Sequence, residues 1–366
     1  MKVVIAGGGT GGHVTPGLAL AARLIEDHGA QVRFIGSATG FEARMVPAAG
    51  IEFHGIAAAP LYREVSLRAA RAPIVALRSL RSTRPLVRGA DVVVGVGGYV
   101  SVPAGLAAKR ERIPLVLHEQ NAIPSLSNRV LARGAAAIGT TFGSASARFP
   151  SGVRIEHTGN PVRAAILGVP SHRSALADEA RAAFRLDREL ATVLVFGASQ
   201  GSLHLDEVVA GALPFLEGRP VQLIALTGRD HEAVVTDAIA GRSSPRVHVA
   251  AFLDRIELAY AVADVAVGRA GAGSIAELAA CGIPALLVPY PHASANHQEA
   301  NARELERARA ADVILDHELS SERLARWMLD ILGDDARRRS MAEAMQAWAR
   351  PDADRRLARL VVEVGG

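Results

Sequence analysis

A chain of 366 residues is long enough for two ordinary domains, each with a core of its own. Apolar residues make up 49% but aromatics only 4%, so Ala, Val, Leu and Ile build the interior, the profile of an α/β protein with buried parallel strands. A single cysteine, Cys281, excludes an intramolecular disulfide, and no apolar run approaches the ~20 residues of a membrane-spanning helix. The net charge of +4, nearly all of its base from arginine, identifies no partner until its location is considered. Met1-Lys2 runs straight into an apolar strand, so no leader peptide is expected, and the chain reads as soluble and cytoplasmic.

The chain opens on a strand, Val3-Val4-Ile5-Ala6, then Gly7-Gly8-Gly9-Thr10-Gly11-Gly12-His13, then a helical pattern from Pro16 to His28. Glycines let backbone approach a ligand closely, and the first-turn N–H groups of the helix favour an anion. Gly7, Gly9 and Gly12 satisfy G-x-G-x-x-G, but a dinucleotide site also needs an acid at the end of the second strand. That strand, Val32 to Gly36, ends in Ser37, and Glu26 and Asp27 come too early. His13, at the mouth of the loop, is able to titrate near neutrality and face what binds there.

Further strands are expected at 91–96, 113–117 and 135–139, alternating with helices as in a parallel sheet covered on both faces. Ligands of such sheets bind beyond the carboxyl ends of the strands, where Gly95-Val96-Gly97-Gly98-Tyr99 and His118-Glu119-Gln120-Asn121 emerge. Ser101 is available as a helix N-cap. His118 with Glu119 suits general acid–base chemistry, or else a polar network holding the loop. Asn121 suits a sugar or loop backbone equally. Residues 61–90 carry Arg63, Arg68, Arg71, Arg78, Arg81, Arg84 and Arg88 against one acid, Glu64, interleaved with Leu61, Leu67, Ile74, Val75, Leu77 and Leu80. Such a segment fits a solvated helix face, an anionic membrane surface or nucleic acid.

Gly159-Asn160-Pro161-Val162-Arg163 reads as a linker, followed by a charged helix over about 173–185. A second α/β series then opens as the first did, with strand 192–196, Gly197-Ala198-Ser199-Gln200-Gly201-Ser202 and a helix. Its further strands are expected at 221–226, 247–251, 264–267 and 284–288. Two like openings suggest two similar domains facing each other across a cleft. After 264–267, Gly268-Arg269-Ala270-Gly271-Ala272-Gly273-Ser274-Ile275-Ala276-Glu277 again leads glycines into a helix N-terminus. Glu277 fits the two hydroxyls of a ribose, a capping box with Ser274, or both. Asp352-Ala353-Asp354 is a literal D-x-D, but beside Pro351 at a helix start it reads as capping rather than a metal site.

Taken together and in order, Gly8-Gly9-Thr10-Gly11-Gly12-His13, Gly95 to Tyr99, His118 to Asn121, Gly159 to Arg163, Gly197 to Gly201, Arg269 to Ala272 and Asn296-His297-Gln298-Glu299-x-Asn301 carry a family resemblance. Over essentially its whole length the chain resembles the peptidoglycan N-acetylglucosaminyltransferases that make lipid II from lipid I. The resemblance implies the GT-B fold, with an acceptor-binding Rossmann-like domain at residues 1–160, a donor-binding one at 161–349, and a C-terminal helix, 350–366, packing back on the first. It implies inverting transfer from UDP-N-acetylglucosamine to the 4-hydroxyl of the muramoyl unit, with no cofactor and no strictly required metal. Glu277 is then expected on the ribose, backbone from Ala272 through Gly273, Ser274, Ile275 and Ala276 on the nucleotide, and the Leu253 backbone on uracil. Ser199 falls to the diphosphate, with Arg163 and Gln298 completing the site. Thr10, Gly11, Gly12 and Asn121 meet the sugar or acceptor, and His13 or Glu119 serves as the base, His13 being preferred. A lipid acceptor makes residues 61–90 a docking patch for the anionic inner face of the cell membrane, with nucleic acid no longer expected. The competing readings are a non-hydrolysing UDP-N-acetylglucosamine 2-epimerase, a nicotinamide oxidoreductase and a non-catalytic nucleotide-binding module.

Overall fold

The computed structural model describes residues 1–9, 11–56, 72–197 and 201–366, the side chains of 72–78 excepted. It divides into two compact units, Met1–Arg163 with Arg350–Gly366, and Ala164–Ala349. The first holds a seven-stranded parallel sheet of β1 (Lys2–Ala6), β2 (Gln31–Ser37), β3 (Glu52–Ile56), β4 (Val92–Gly95), β5 (Leu115–Glu119), β6 (Ala137–Thr140) and β7 (Arg154–His157), in the order β3-β2-β1-β4-β5-β6-β7. The second holds six parallel strands, β8 (Ala191–Phe196), β9 (Val221–Leu226), β10 (Arg246–Ala250), β11 (Val265–Gly268), β12 (Ala285–Leu287) and β13 (Ala311–Val313), in the order β10-β9-β8-β11-β12-β13. Both units are therefore doubly wound, as the GT-B resemblance implies, with the strand order reversing between β1 and β4 and between β8 and β11.

Burial on both faces explains the near-continuous apolar runs. Val3 and Ile5 of β1, with Val92, Val94 and Val116, pack beneath helix Gly11–His28, while Val4 and Ala6, with Val93, Leu115 and Leu117, pack beneath helix Ser101–Glu111. In the second unit Val193, Val195, Val265, Val267, Leu286 and Val288 meet Leu205, Val209, Leu324 and Met328.

The central strands fall where the apolar runs predict, whereas the edge strands β3, β7 and β13 are unpredicted. Helix Gly11–His28 starts ahead of Pro16, taking the last glycines and His13 into its first turn. The helix expected at 173–185 spans Val169–Phe184, and the boundary between units follows Arg163.

Helix Ala353–Gly365 belongs to the first unit. Leu357, Ala358, Leu360 and Val361 bury into the core of β1 and β4, and a Cβ on Gly139 of β6 would lie only 3.0 Å from Leu357. Arg23 of helix Gly11–His28 pairs with Asp354 at 2.9 Å. Asp352 makes no capping bond and instead reaches Arg356 at 2.7 Å, whereas Asp354 accepts from the Arg355 N–H at 2.8 Å besides pairing with Arg23, so the expected service to helix backbone holds for Asp354 and not for Asp352. Replacing fully buried Leu357 with alanine is expected to cost about 2–5 kcal/mol, read as a lower urea midpoint at unchanged m.

Candidate functional site

The loops after β1 and β4 meet at the first strand reversal, and glycine is required where they touch. A Cβ on Gly98 would lie 2.2 Å from the Gly8 carbonyl oxygen, and one on Gly97 2.7 Å from His13 Cδ2. The pair Gly97-Gly98, both at positive φ, thus makes room for the half-buried His13 ring and for the first loop. Ser101 is not an N-cap. Its hydroxyl lies 2.8 Å from both the Ala6 and the Gly97 carbonyl oxygens, joining the ends of β1 and β4.

His118 and Glu119 form the loop-holding network rather than an exposed acid–base pair. His118 is fully buried; burial pushes its pKa down to about 4, leaving the ring neutral at pH 7. Its Nε2 donates to the Gly159 carbonyl at 3.0 Å, and Nδ1 accepts from Gln120 Nε2 at 3.1 Å. That amide also donates to Val96 O at 2.7 Å. Glu119, equally buried, accepts from the backbone N–H of Asn121 (3.0 Å) and Ser125 (2.8 Å) and from the side chains of Asn128 (2.8 Å) and Asn121 (3.4 Å). Burial raises its pKa against those donors. Gly11, Gly12, His13 and Asn121 share the carboxyl edge of the first sheet with this network, while Thr10 lies outside the described residues.

In the second unit, Leu253 follows β10, helix Ala272–Cys281 follows β11, and Gln298 opens helix His297–Arg307 beyond β12. Ser199 lies outside the described residues. Helix Ala272–Cys281 has Gly271 at its N-cap with no side-chain bond, and a Cβ added to Gly273 meets nothing within 4 Å among the described residues. Ser274 is therefore inside the helix and forms no capping box. Glu277 instead accepts a 2.8 Å hydrogen bond from the Tyr260 hydroxyl. The result is an uncapped N-terminus with open space at Gly273 and a held carboxylate one turn on, an arrangement able to take an anion and a pair of hydroxyls.

Arg269 organises the surrounding loops. It is 3% exposed and donates to Ser202 Oγ, to the Val288 and Pro289 carbonyls and to Asp316, with the Tyr290 ring 5.6 Å away. Asn301 Nδ2 donates to Ala270 O at 3.1 Å, and Gln298 Oε1 accepts from Tyr290 N at 3.0 Å. Arg163, half-buried, ends the first unit. The partners Asp316 and Tyr260, like Glu42 in the first unit, were unmarked in sequence because each acts across a long chain separation.

Asp206 lacks comparable pairing. It is 2% exposed, its Oδ2 has no hydrogen-bond partner among the described residues, and burial pushes its carboxyl up to about 7, against the Ser202 backbone N–H and the pull of Arg269. Between about pH 4 and 7 the folded state holds the proton that the unfolded state has lost, so stability falls as pH rises through that window. Asp206→Asn removes that titration at nearly constant shape. The variant is expected to match its parent near pH 4 and exceed it by on the order of 1–3 kcal/mol at pH 8, measured by urea unfolding.

Comparison with known proteins agrees with the two doubly wound units. Residues 3–140 match the glycosyltransferase family 28 N-terminal domain and residues 192–357 its C-terminal domain. A UDP-N-acetylglucosamine–N-acetylmuramyl-(pentapeptide) pyrophosphoryl-undecaprenol N-acetylglucosamine transferase of Halothermothrix orenii is 40% identical, covering 99% of this chain and 98% of its own. The crystal structure of Acinetobacter baumannii MurG superposes with a TM-score of 0.79 at 28% identity, covering 99% of each chain. A UDP-GlcNAc 2-epimerase from Neisseria meningitidis, bound to UDP-GlcNAc, reaches 0.70 at 13% identity over 100% of this chain and 99% of its own, a likeness of fold alone. The chain belongs to the family of UDP-N-acetylglucosamine–N-acetylmuramyl-(pentapeptide) pyrophosphoryl-undecaprenol N-acetylglucosamine transferases.

Proposed function

We propose that the chain moves N-acetylglucosamine from UDP-N-acetylglucosamine to the 4-hydroxyl of the muramoyl unit of lipid I, with inversion, giving lipid II for peptidoglycan synthesis. The observation that carries this reading is the open N-terminus of helix Ala272–Cys281 with Glu277 one turn along, in a chain 40% identical to such a transferase. Glu277 binds the ribose hydroxyls, backbone from Ala272 to Ala276 the nucleotide, the Leu253 backbone the uracil and Ser199 the diphosphate, with Arg163 and Gln298 completing the donor site. Departure of UDP builds negative charge, which helix N–H groups fixed in advance stabilise; losing one such donor typically costs ~2.7–4 kcal/mol of barrier. Thr10, Gly11, Gly12 and Asn121 meet the sugar or acceptor.

His13 takes the proton of the attacking hydroxyl. Glu119 is the weaker candidate, because its buried oxygens already accept four hydrogen bonds. The decisive assay incubates the protein with radiolabelled UDP-N-acetylglucosamine and a short-chain lipid I analogue. Label should enter the lipid and UDP appear only when that acceptor is present. Conversion of the donor alone, with no labelled lipid, would instead identify an epimerase.

Because the acceptor is a lipid, the enzyme works as a peripheral protein at the cytoplasmic face of the membrane. Among the described residues no helix is long and apolar enough to cross a membrane. Residues 61–90 supply the docking patch, although 57–71 lie outside the described residues. Helix Ala72–Val87 packs against Ser101–Glu111, where Arg84 and Arg88 pair with Glu111. Exposed Leu106, Leu126 and Val130 on the adjoining helices add apolar surface. Charge reversal of Arg78, Arg81 and Arg84 is expected to abolish flotation with anionic liposomes; binding equal to the parent's removes the patch.

A further inference from the structure

Glu42 begins a short helix, Glu42–Ala48, and its side chain is fully buried. Oε1 accepts from the Ser37 N–H at 2.7 Å, and both carboxylate oxygens lie 3.2 Å from the Gly9 nitrogen. One carboxylate thereby ties the end of β2 to the loop after β1. Glycines clear its place: a Cβ on Gly8 would lie 1.9 Å from Oε1, one on Gly36 2.3 Å from Cγ, and one on Gly40 2.4 Å from Oε2. Among the described residues Glu42 enters no ion pair, so backbone N–H groups meet its charge.

Taking a carboxylate out of water is costly unless hydrogen bonds replace its hydration, and a position needing only filler is served better by an apolar side chain. What the carboxylate adds is direction. It fixes Gly9, just before the first turn of helix Gly11–His28, and that turn carries His13 with its ring against Gly97. We propose that Glu42 is a positioning residue for the transfer, holding the glycine loop so that the His13 imidazole stands where the acceptor hydroxyl arrives. The proposal rests on His13 being the base.

Glu42→Gln tests it, since one of the two oxygens that face the Gly9 N–H then becomes an NH2, which repels that N–H and leaves a single acceptor for Gly9 and Ser37 together. Misplacement of a catalytic group by about 1 Å can cost 10²-fold, so kcat should fall about 10- to 100-fold while KM for UDP-N-acetylglucosamine stays within about two-fold. In a His13→Ala background the same change should cost less than about three-fold, because the group it positions is gone. If His13→Ala alone keeps its rate, the base reading falls and takes the proposal with it. If His13→Ala is impaired but Glu42→Gln costs as much there as in the parent, only the proposal falls. Unchanged kcat in Glu42→Gln also overturns it. Should Glu42→Gln fail to fold by circular dichroism, Glu42→Asp keeps the charge on a shorter arm and is expected to fold with reduced kcat. An unchanged kcat in Glu42→Asp, or failure of both variants to fold, makes Glu42 an element of the fold and overturns the proposal.

Discussion

His13→Ala is expected to lower kcat by about 10²- to 10⁴-fold while the dissociation constant for UDP-N-acetylglucosamine stays within about two-fold. Attack by a sugar hydroxyl requires its proton to leave as the new bond forms, and a placed base contributes that range, equivalent to about 2.7–5.4 kcal/mol of barrier. The proposed base, His13, lies on the first turn of helix Gly11–His28 with its ring half-buried against Gly97. Donor affinity is expected to hold because the nucleotide contacts proposed for Glu277, Leu253 and the backbone from Ala272 to Ala276 lie in the second unit, whereas His13 lies in the first. The neighbouring candidates behave differently. His118 is locked as a neutral donor to Gly159, and Glu119→Gln should unsettle the 119–128 loop and lower stability before it touches the chemical step. Single-turnover kinetics on a short-chain lipid I analogue reads the difference. A His13→Ala enzyme within a few-fold of its parent, beside a Glu119→Gln enzyme that folds but has lost ~100-fold, would move the base to Glu119.

What the sequence made legible follows where burial leaves a pattern. The strands β1, β4, β5, β8 and β11 are buried on both faces, and their runs of Val, Leu, Ile and Ala announce them. Glu52-Phe53-His54-Gly55-Ile56 and Arg154-Ile155-Glu156-His157, on sheet edges with charged and half-buried residues, show no apolar run and drew no strand prediction; β13, Ala311–Val313, is too short to show any period. Glycine motifs marked the loops beyond the carboxyl ends of the strands, yet their spacing could not separate room for a ligand from room for the protein. Gly98 is glycine because Gly8 O lies against it, whereas Gly273 faces open space. Partners distant in sequence were invisible for the same reason. Nothing local to Glu42 names Gly9, nor does anything near Tyr260 point to Glu277. The D-x-D misled only in detail: the aspartates do serve a helix, Asp352 through Arg356, and Asp354 through Arg23 as well as the Arg355 N–H.

Removing the carboxylate of Glu277 should weaken UDP and UDP-N-acetylglucosamine about 10- to 100-fold, with little change in kcat at saturating donor. Hydrogen bonds to a charged group contribute about 1.5–3 kcal/mol, which is that range in affinity. The ribose does not react, so contacts to it act alike in ground and transition states and appear in KM. Tyr260 donates to Glu277 at 2.8 Å and holds the carboxylate in place, so Tyr260→Phe should reproduce a smaller part of the loss. Calorimetric titration with UDP and with its 2′-deoxy analogue turns this into a cycle. The parent should bind the deoxy compound more weakly than UDP, and Glu277→Ala should bind the two almost equally, because the hydroxyl has lost its acceptor. A Glu277→Ala protein that binds UDP as tightly as its parent would take the ribose, and with it the nucleotide, away from helix Ala272–Cys281.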